Sequence, residues 1–258
     1  MNKASLWGHC DAILAATSLP KKILRKLLPD TIDFTSQNYT SGDDHPVIYM
    51  FNEQVIHIFF SFFKVKYKEM IPLIPFVHFK DNPSVNYQTS PILYVDSLLI
   101  VFGGQVMWHL NKVIGKFMGT SEIQHFSKMK YLSHKVFREN IETITMTATP
   151  TGEVGTIDDF PYCKQLSELW HTGAIINNET TFWTARYEVI DKSVQGAAVN
   201  IQVKDIEGLP SQTLDIPPIQ ENILGGFQLT FDWKLWWPKK YQPIQKKENT
   251  ELLEELSS

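Results

Sequence analysis

The chain has 258 residues, of which 43% are hydrophobic and 20% charged, a composition typical of a globular protein rather than a disordered one. A formal net charge of −4, without a dense block of Lys and Arg, argues against nucleic acid as a partner. No stretch approaches the ~20 apolar residues of a transmembrane helix, so we expect no membrane span.

Cysteine and histidine usage limits the chemistry that the chain can support. Cys10 and Cys163 are too few for a disulfide framework or a zinc site, and we predict two reduced thiols in a cytoplasmic protein. The N-terminus has no uninterrupted apolar segment of the kind found in signal peptides. The histidines are scattered, and the phosphate-binding and dinucleotide-binding motifs are missing, so we expect neither a metal nor another cofactor.

The N-terminal third contains one predicted helix and two predicted strands. Residues 19–29 have the spacing of a short amphipathic helix, which must end at Pro29. Residues 47–51 and 54–67 are rich in β-branched and aromatic side chains, which predicts paired strands with a turn at Asn52 and Glu53.

The middle of the chain, residues 94–115, combines an apolar run with two adjacent glycines and one lysine, Lys112. The apolar part, residues 97–104, has the length of a strand. Residues 121–138 are mixed, which predicts an irregular or partly helical segment. The remaining patterns predict a strand at 141–149, a hairpin turn at Thr151, Gly152 and Glu153, and strands at 180–190, 198–203 and 223–236.

The overall pattern predicts one domain over residues 1–240, followed by a polar and acidic tail over residues 241–258. Neither an internal repeat nor a shift in composition divides the chain. The many strands and few helices predict an α+β fold that is mostly β. Because most of these strands must pair with partners distant in sequence, we expect a barrel or otherwise closed sheet with a few flanking helices.

Lys112 is the one potential nucleophile in so apolar a part of the sequence. A lysine amine attacks a carbonyl carbon only when it is unprotonated, and apolar surroundings disfavour the charged form. The resulting imine stabilises a neighbouring carbanion, which makes decarboxylation of a β-keto acid or aldol chemistry accessible. On spacing alone, however, a lysine after an apolar strand is more often an ordinary surface residue.

The stretch around this lysine resembles the central motif of the acetoacetate decarboxylase family. In that family a Tyr-x-Asp pair precedes an apolar run, and a segment of the form G-x-x-x-W-x-x-x-K carries the lysine that forms the Schiff base. Tyr94, Asp96, Gly104, Trp108 and Lys112 fall on this pattern without a gap.

Three further segments support the resemblance. Residues 23–29 are similar to the family's N-terminal helix, residues 67–75 to the segment that brings a glutamate into the pocket, and residues 223–238 to the final strand. The second of these matches places Glu69 in the pocket. The resemblance implies a closed β-barrel or cone with a few flanking helices, assembled into a homo-oligomer.

The resemblance also implies a function. Lys112 would form an imine with a small β-keto or oxo acid, and Glu69 would transfer protons during decarboxylation or a related aldol or dehydration reaction. No cofactor takes part in this chemistry. The residues expected to line the substrate pocket are Trp108, Met107, Leu110, Asn111, Phe102 and Glu53.

The sequence departs from the decarboxylases at positions that carry positive charge. Val113 stands where they have a second lysine, and the arginine that contacts the substrate carboxylate falls at about Cys10. Asn111 replaces the usual proline before the nucleophile, and Glu53 is the candidate for a second pocket glutamate. These departures leave a second function open, namely a non-catalytic relative that binds a small apolar or keto ligand in the same pocket.

Overall fold

The computed structural model describes residues 6–58, 63–119, 132–178 and 181–243. Over these residues the protein is mostly β, with three short helices, as predicted: α1 (Lys21–Leu24), α2 (Leu98–Trp108) and α3 (Pro161–Thr172). The strands are β1 (Leu6–Pro20), β2 (Ile32–Phe34), β3 (Asp44–Ile58), β4 (Phe63–Phe79), β5 (Asn82–Thr89), β6 (Leu93–Val95), β7 (Lys112–Ile114), β8 (Lys116–Gly119), β9 (Leu132–Arg138), β10 (Ile141–Gly155), β11 (Ala174–Asn178), β12 (Thr181–Ala185), β13 (Tyr187–Val203), β14 (Gln212–Ile216), β15 (Gly226–Leu235) and β16 (Lys239–Lys240).

The strands form one connected and largely antiparallel sheet. Its order is β16-β12-β11-β5-β4-β3-β1-β15-β13-β10-β9-β8, while β2, β6, β7 and β14 pair beside this path. Over the described residues the end strands β16 and β8 do not pair with each other, so the sheet is not closed there. The mostly β architecture is therefore confirmed, and the closed barrel stays a prediction.

Three neighbouring long strands, β1, β3 and β4, build the wall that carries the candidate site. β3 pairs continuously with β1 on one side and with β4 on the other. Asn52 lies opposite Glu69, and Glu53 lies opposite Lys68. The predicted turn at Asn52 and Glu53 is therefore wrong, since both residues are in the middle of a strand.

Successive side chains of this wall enter different surroundings, because the side chains of a strand alternate between its two faces. Two separate hydrophobic cores result, and the candidate site faces the first. The first core includes Cys10, Ala12, Leu14, Met50, Tyr67, Ile71, Val95, Ile100, Trp108 and Trp233. The second core includes Ile13, Tyr49, Phe51, Met70, Ile74, Tyr94, Val136 and Ile201.

Several other local predictions are corrected. The apolar run at 97–104 is not a strand, because Leu98–Trp108 forms α2. The predicted turn at Thr151–Glu153 is wrong, since these residues lie within β10, whose pairing with β13 shifts register there. The helix expected at 19–29 is shorter, with Lys21–Leu24 in α1 and Arg25–Leu27 in a 3₁₀ turn.

Other predictions are confirmed or lie outside the described residues. The strands at 141–149 and 198–203 are parts of β10 and β13, and the strand at 223–236 contains the shorter β15. Residues 132–138 form β9 rather than an irregular segment, while 121–131 and most of the tail, 244–258, lie outside the described residues. α3 was not predicted. No helix in the described part of the chain has the length and apolar character needed to cross a membrane.

Candidate active site

Lys112 lies at the start of β7, just after α2 ends. α2 directs Gly104 and Trp108 inward, one helical turn apart. His109 ends the helix in the left-handed conformation, with φ of 57°, and the backbone N–H of Leu110 donates to the Gly104 carbonyl oxygen at 3.0 Å. This tight ending returns the chain to the sheet and brings the lysine side chain under the helix.

The aliphatic part of the lysine packs against a glycine of α2. A Cβ atom on Gly104 would lie 2.5 Å from Cδ of Lys112 and 3.0 Å from its Cε, which is too close for a packed contact. A Cβ atom on the neighbouring Gly103 would meet nothing within 4 Å. Gln105 donates its side-chain amide to the Lys112 carbonyl oxygen at 2.7 Å and fixes the backbone. Of the two adjacent glycines, only Gly104 is thus required to accommodate the side chain of Lys112.

Lys112 and Glu69 form a buried ion pair. Nζ of Lys112 donates to Oε1 of Glu69 at 2.7 Å, and the two side chains are 7% and 3% exposed. The other carboxylate oxygen, Oε2, accepts a hydrogen bond from Nε2 of Gln54 at 2.9 Å. The structure therefore brings together the two residues expected to be catalytic, and adds an amide that orients the carboxylate.

The surroundings of the pair include two phenols. Nζ of Lys112 lies 5.4 Å from the centroid of the Tyr67 ring. Burial raises the pKa of Tyr67 and of Tyr187, and the negative charge of Glu69 raises both pKa values further. Both hydroxyl groups are therefore protonated at neutral pH and available as hydrogen-bond donors.

The two positions at which decarboxylases carry extra positive charge are neutral here. Cys10 is buried in the first core, where burial and then the charges of Asp11 and Glu69 raise the pKa of its thiol. Val113 follows Lys112 and therefore faces the other side of β7, where it packs against the second core. Neither position supplies a cation to the ion pair. Both cysteines are free, as predicted, and both are buried.

The ion pair can supply an amine nucleophile by moving one proton. Burying two charges costs desolvation free energy that their attraction offsets only in part. Transfer of a proton from Nζ of Lys112 to Glu69 gives a neutral amine and a carboxylic acid within hydrogen-bonding distance. These are the two forms needed to attack a carbonyl group and to protonate its oxygen.

The residues predicted to line the pocket fall into different surroundings. Trp108 is buried and stacks on Trp237 with ring centroids 5.1 Å apart, and Leu110 is partly buried against the first core. Asn111 is exposed and donates its amide to a backbone carbonyl at 2.7 Å. Met107 and Phe102 are exposed, at 44% and 66% of their surface. The structure therefore brings Trp108 and Leu110 to the first core, while the other three residues of this region face solvent.

Glu53 belongs to a different charge cluster. It is 5% exposed and pairs with Lys66 at 3.1 Å and with Lys68 at 3.3 Å. Because it follows Asn52 in β3, its side chain faces the opposite side of the wall from Glu69. The structure does not bring Glu53 to the ion pair.

Two further residues of the sequence motif hold the framework in place. Tyr94 is buried in the second core. The carboxylate of Asp96 accepts a hydrogen bond from the backbone N–H of Lys68 at 2.9 Å, and its own N–H donates to the Lys68 carbonyl at 3.2 Å. This double contact ties the end of β6 to β4, one residue before Glu69.

Sequence reasoning missed two polar neighbours of Glu69. Gln54 binds its carboxylate, and Asn52 lies directly opposite it with 2% of its surface exposed. The predicted turn includes Asn52, and the predicted strand 54–67 begins at Gln54. If residues 44–58 had been interpreted as one strand, the alternation from Met50 would have placed Asn52 and Gln54 on the same face.

The ion pair is enclosed. Two open grooves of about 460 and 440 Å³ lie elsewhere, one bordered by Ile114 and Phe117 and the other by Phe160 and Ile219. Neither of these two grooves is lined by Lys112 or Glu69. Within the described ranges, no group of three or more His, Cys, Asp and Glu side chains could hold a metal ion.

Comparison with known proteins identifies the fold. No protein-family model and no curated protein matches the sequence. The structure resembles the enduracididine biosynthesis enzyme MppR with HEPES bound (TM-score 0.69, 9% identity, 95% of this chain and 90% of that chain). It also resembles acetoacetate decarboxylase from Legionella pneumophila (TM-score 0.62, 12% identity, 94% of this chain and 89% of that chain). A second acetoacetate decarboxylase structure is similar as well (TM-score 0.64, 11% identity, 95% of this chain and 92% of that chain). The chain therefore has an acetoacetate decarboxylase-like fold, and the predicted resemblance is confirmed at this level.

Proposed function

We propose that the protein is a lyase that forms a Schiff base through Lys112 with a small β-keto or oxo acid. The buried ion pair between Lys112 and Glu69 carries this proposal, because burying both charges has a cost that a purely apolar contact would avoid. The fold adds support, since MppR has been solved with pyruvate and with the condensation product of pyruvate and imidazole 4-carboxaldehyde.

The ion pair holds the proton that imine formation requires. Glu69 takes a proton from Lys112, and the neutral nitrogen bonds to the carbonyl carbon and passes a second proton to the carbonyl oxygen. Glu69 then protonates the new hydroxyl group, the C–O bond breaks and water leaves. A positively charged imine remains beside the regenerated carboxylate, so the charge balance of the site is unchanged.

The imine then acts as an electron sink. In a β-keto acid, the electron pair of the bond to the carboxylate moves toward the imine nitrogen, and carbon dioxide and an enamine form. Protonation of the enamine carbon by water restores the imine, and hydrolysis releases the ketone and the lysine. In related aldol and dehydration reactions, the same electron sink stabilises a different carbanion.

A second candidate function is a non-catalytic protein that binds a small apolar or keto ligand beside the ion pair. The neutral side chains of Cys10 and Val113 favour it, because a substrate carboxylate finds no cation at either position. An unpaired carboxylate in an apolar site is costly.

Reductive trapping distinguishes these functions. The protein is incubated with acetoacetate, pyruvate and acetylacetone, reduced with borohydride, and analysed by intact and peptide mass. We expect an adduct on Lys112 in the wild type and none in Lys112→Met. Lys116→Met, at an exposed lysine of β8, is the matched control and should still form the adduct. A folded wild-type protein without any adduct would reject the lyase and leave the binding function.

We also propose that the protein is a homo-oligomer in which a second copy covers the outer face of α2. This face exposes Leu98, Leu99, Phe102 and Val106 by 73%, 60%, 66% and 57%, an unusual density of exposed apolar residues. Light scattering should show an oligomer for the wild type and a shift toward monomer for Phe102→Glu. A monomeric wild-type protein would contradict this assembly.

A single domain, a closed sheet and a cytoplasmic location complete the proposal. Pairing of β1 with both β3 and β15 joins N-terminal and C-terminal segments in one sheet, which supports a single domain over residues 1–240. The free and buried thiols of Cys10 and Cys163 fit a reducing compartment.

A further inference from the structure

Asn52 is a buried polar residue that the chemistry described above does not use. It is 2% exposed, and among the described residues neither its Oδ1 nor its Nδ2 atom has a hydrogen-bond partner. A buried amide without partners is costly, and folded proteins seldom contain one without a reason. A ligand that hydrogen-bonds to this amide would remove the cost.

The position of Asn52 directs this amide toward the ion pair. Asn52 lies directly opposite Glu69 of β4 and opposite Ala12 of β1, so all three side chains share one face of the wall. Directly paired residues of antiparallel strands have Cβ atoms about 4.5–5.5 Å apart. The oxygens of Glu69 already accept hydrogen bonds from Lys112 and Gln54, and Ala12 offers only a methyl group. Among the described residues neither neighbour hydrogen-bonds to Asn52, which leaves the amide available to a ligand that reaches the ion pair.

We propose that Asn52 binds the substrate through a hydroxyl group on the carbon β to the carbonyl that condenses with Lys112. An amide offers one acceptor and donors, and a hydroxyl group offers the matching donor and acceptor. A carboxylate has no donor for Oδ1 and would add negative charge beside Glu69, whereas a hydroxyl group can donate to Oδ1 or accept from Nδ2. This inference rests on the proposed function and narrows the substrate to a β-hydroxy oxo compound, the class that undergoes aldol cleavage.

The proton transfers of aldol cleavage balance within the site. The hydroxyl group of the bound substrate first donates to Oδ1 of Asn52. For cleavage it turns toward Glu69, which takes the hydroxyl proton, while Nδ2 of Asn52 donates to the oxygen that is left. The oxygen forms a C=O bond, the bond between the α and β carbons breaks, and its electron pair moves toward the imine nitrogen. An aldehyde or ketone leaves, and an enamine remains on Lys112. Glu69 returns the proton to the α carbon, and water then hydrolyses the imine.

The test compares 4-hydroxy-2-butanone with 2-butanone, which lacks the hydroxyl group. The measurement is the concentration of each ketone that gives half-maximal borohydride trapping at Lys112. In the wild type we expect the hydroxy ketone to reach this point at about tenfold lower concentration, as one or two added hydrogen bonds would produce. Asn52→Leu should lose this preference, so that its half-maximal concentrations for the two ketones become equal. Asn200→Leu, at a polar residue of β13, is the control and should keep it.

A second measurement separates substrate binding from a structural role. Asn52→Leu keeps the branched shape and the number of side-chain heavy atoms and removes an unpaired amide, so its melting temperature should equal or exceed that of the wild type. A lower melting temperature with equal loss of trapping for both ketones would show a structural role and overturn the proposal. Asn52→Ala serves as the second variant if the leucine variant does not fold.

The remaining outcomes are also decisive. Equal trapping of the two ketones by the wild type, or an unchanged preference in Asn52→Leu, would overturn the proposal. If the wild type forms no adduct with either ketone, the proposed lyase function fails separately. The role of Asn52 is then decided by calorimetric measurement of 4-hydroxy-2-butanone binding. Weaker binding by Asn52→Leu than by the wild type supports the proposed role of Asn52. Equal binding by the two proteins, or no detectable binding by either, rejects that role.

Discussion

Removing either partner of the ion pair between Lys112 and Glu69 should destabilise the protein strongly, whereas removing both should not. The side chains are 7% and 3% exposed, and the contact is 2.7 Å. Lys112→Met leaves the Glu69 carboxylate with the neutral Gln54 amide as its hydrogen-bond donor. Glu69→Leu leaves the ammonium group beside the face of Tyr67, 5.4 Å from its centroid. Each single variant should lose about 3–5 kcal/mol of unfolding free energy.

The double variant Lys112→Met/Glu69→Leu replaces both charges by apolar groups of similar size. Such replacement of a buried pair is often neutral or stabilising by about 1–4 kcal/mol. The Gln54 amide loses its acceptor, which costs about 1–3 kcal/mol. We therefore expect the free energy of unfolding of the double variant to lie within about 2 kcal/mol of the wild-type value.

Urea unfolding at pH 7, followed by tryptophan fluorescence, measures these free energies and the coupling between the two sites. Lys116→Met, at an exposed lysine, is the control and should change stability by less than about 0.5 kcal/mol. If both single variants lose less than about 1 kcal/mol, and their effects simply add in the double variant, the pair behaves as a solvent-exposed contact. That result would refute the reasoning from burial.

Two further predictions follow from local contacts. Gly104→Ala should slow imine trapping at Lys112 and lower the free energy of unfolding by about 1–3 kcal/mol, because its Cβ would lie 2.5 Å from the lysine Cδ. Gly103→Ala is the control and should leave trapping unchanged. Equal effects of the two substitutions would contradict this packing. Hydrogen bonds to Asp11 and Asp232 raise the pKa of His9 from 6.5 to about 9. Since the folded pKa exceeds the unfolded one, the stabilisation is complete below pH 6.5 and is lost as pH rises through 9. The stabilities of wild type and His9→Gln should converge across this range, and parallel profiles would contradict the pairing.

The sequence was sufficient to locate the ion pair but not its neighbours. Lys112 and Glu69 lie 43 positions apart in the chain, and no local spacing relates them. They were placed together because two separate segments resemble one family. The predicted turn at Asn52 and Glu53 separates the strand 47–51 from the strand that begins at Gln54, so the sequence does not place Asn52 and Gln54 on one face. In the structure, strand register puts both on the face of Glu69. Register depends on pairing across the whole sheet and cannot be read from one segment.

The error at α2 has a physical cause as well. Residues 97–104 are apolar on nearly every side, so their periodicity distinguishes a buried strand from a helix poorly. In the structure Ile100, Gly104 and Trp108 face inward, while Leu99 and Phe102 face outward. A helix that is apolar on both sides is the expected pattern when its outer face is covered by another subunit.

Exchange of carbonyl oxygen with water tests the central claim, imine formation by Lys112, without requiring the natural substrate. Each cycle of imine formation and hydrolysis replaces the oxygen of the ketone with one from the solvent. In water enriched in oxygen-18, the wild type and Lys116→Met should accelerate labelling of acetone, measured by mass spectrometry, and Lys112→Met should not. If the wild type labels acetone no faster than Lys112→Met does, Lys112 does not form an imine with the ketone, and the central claim is wrong.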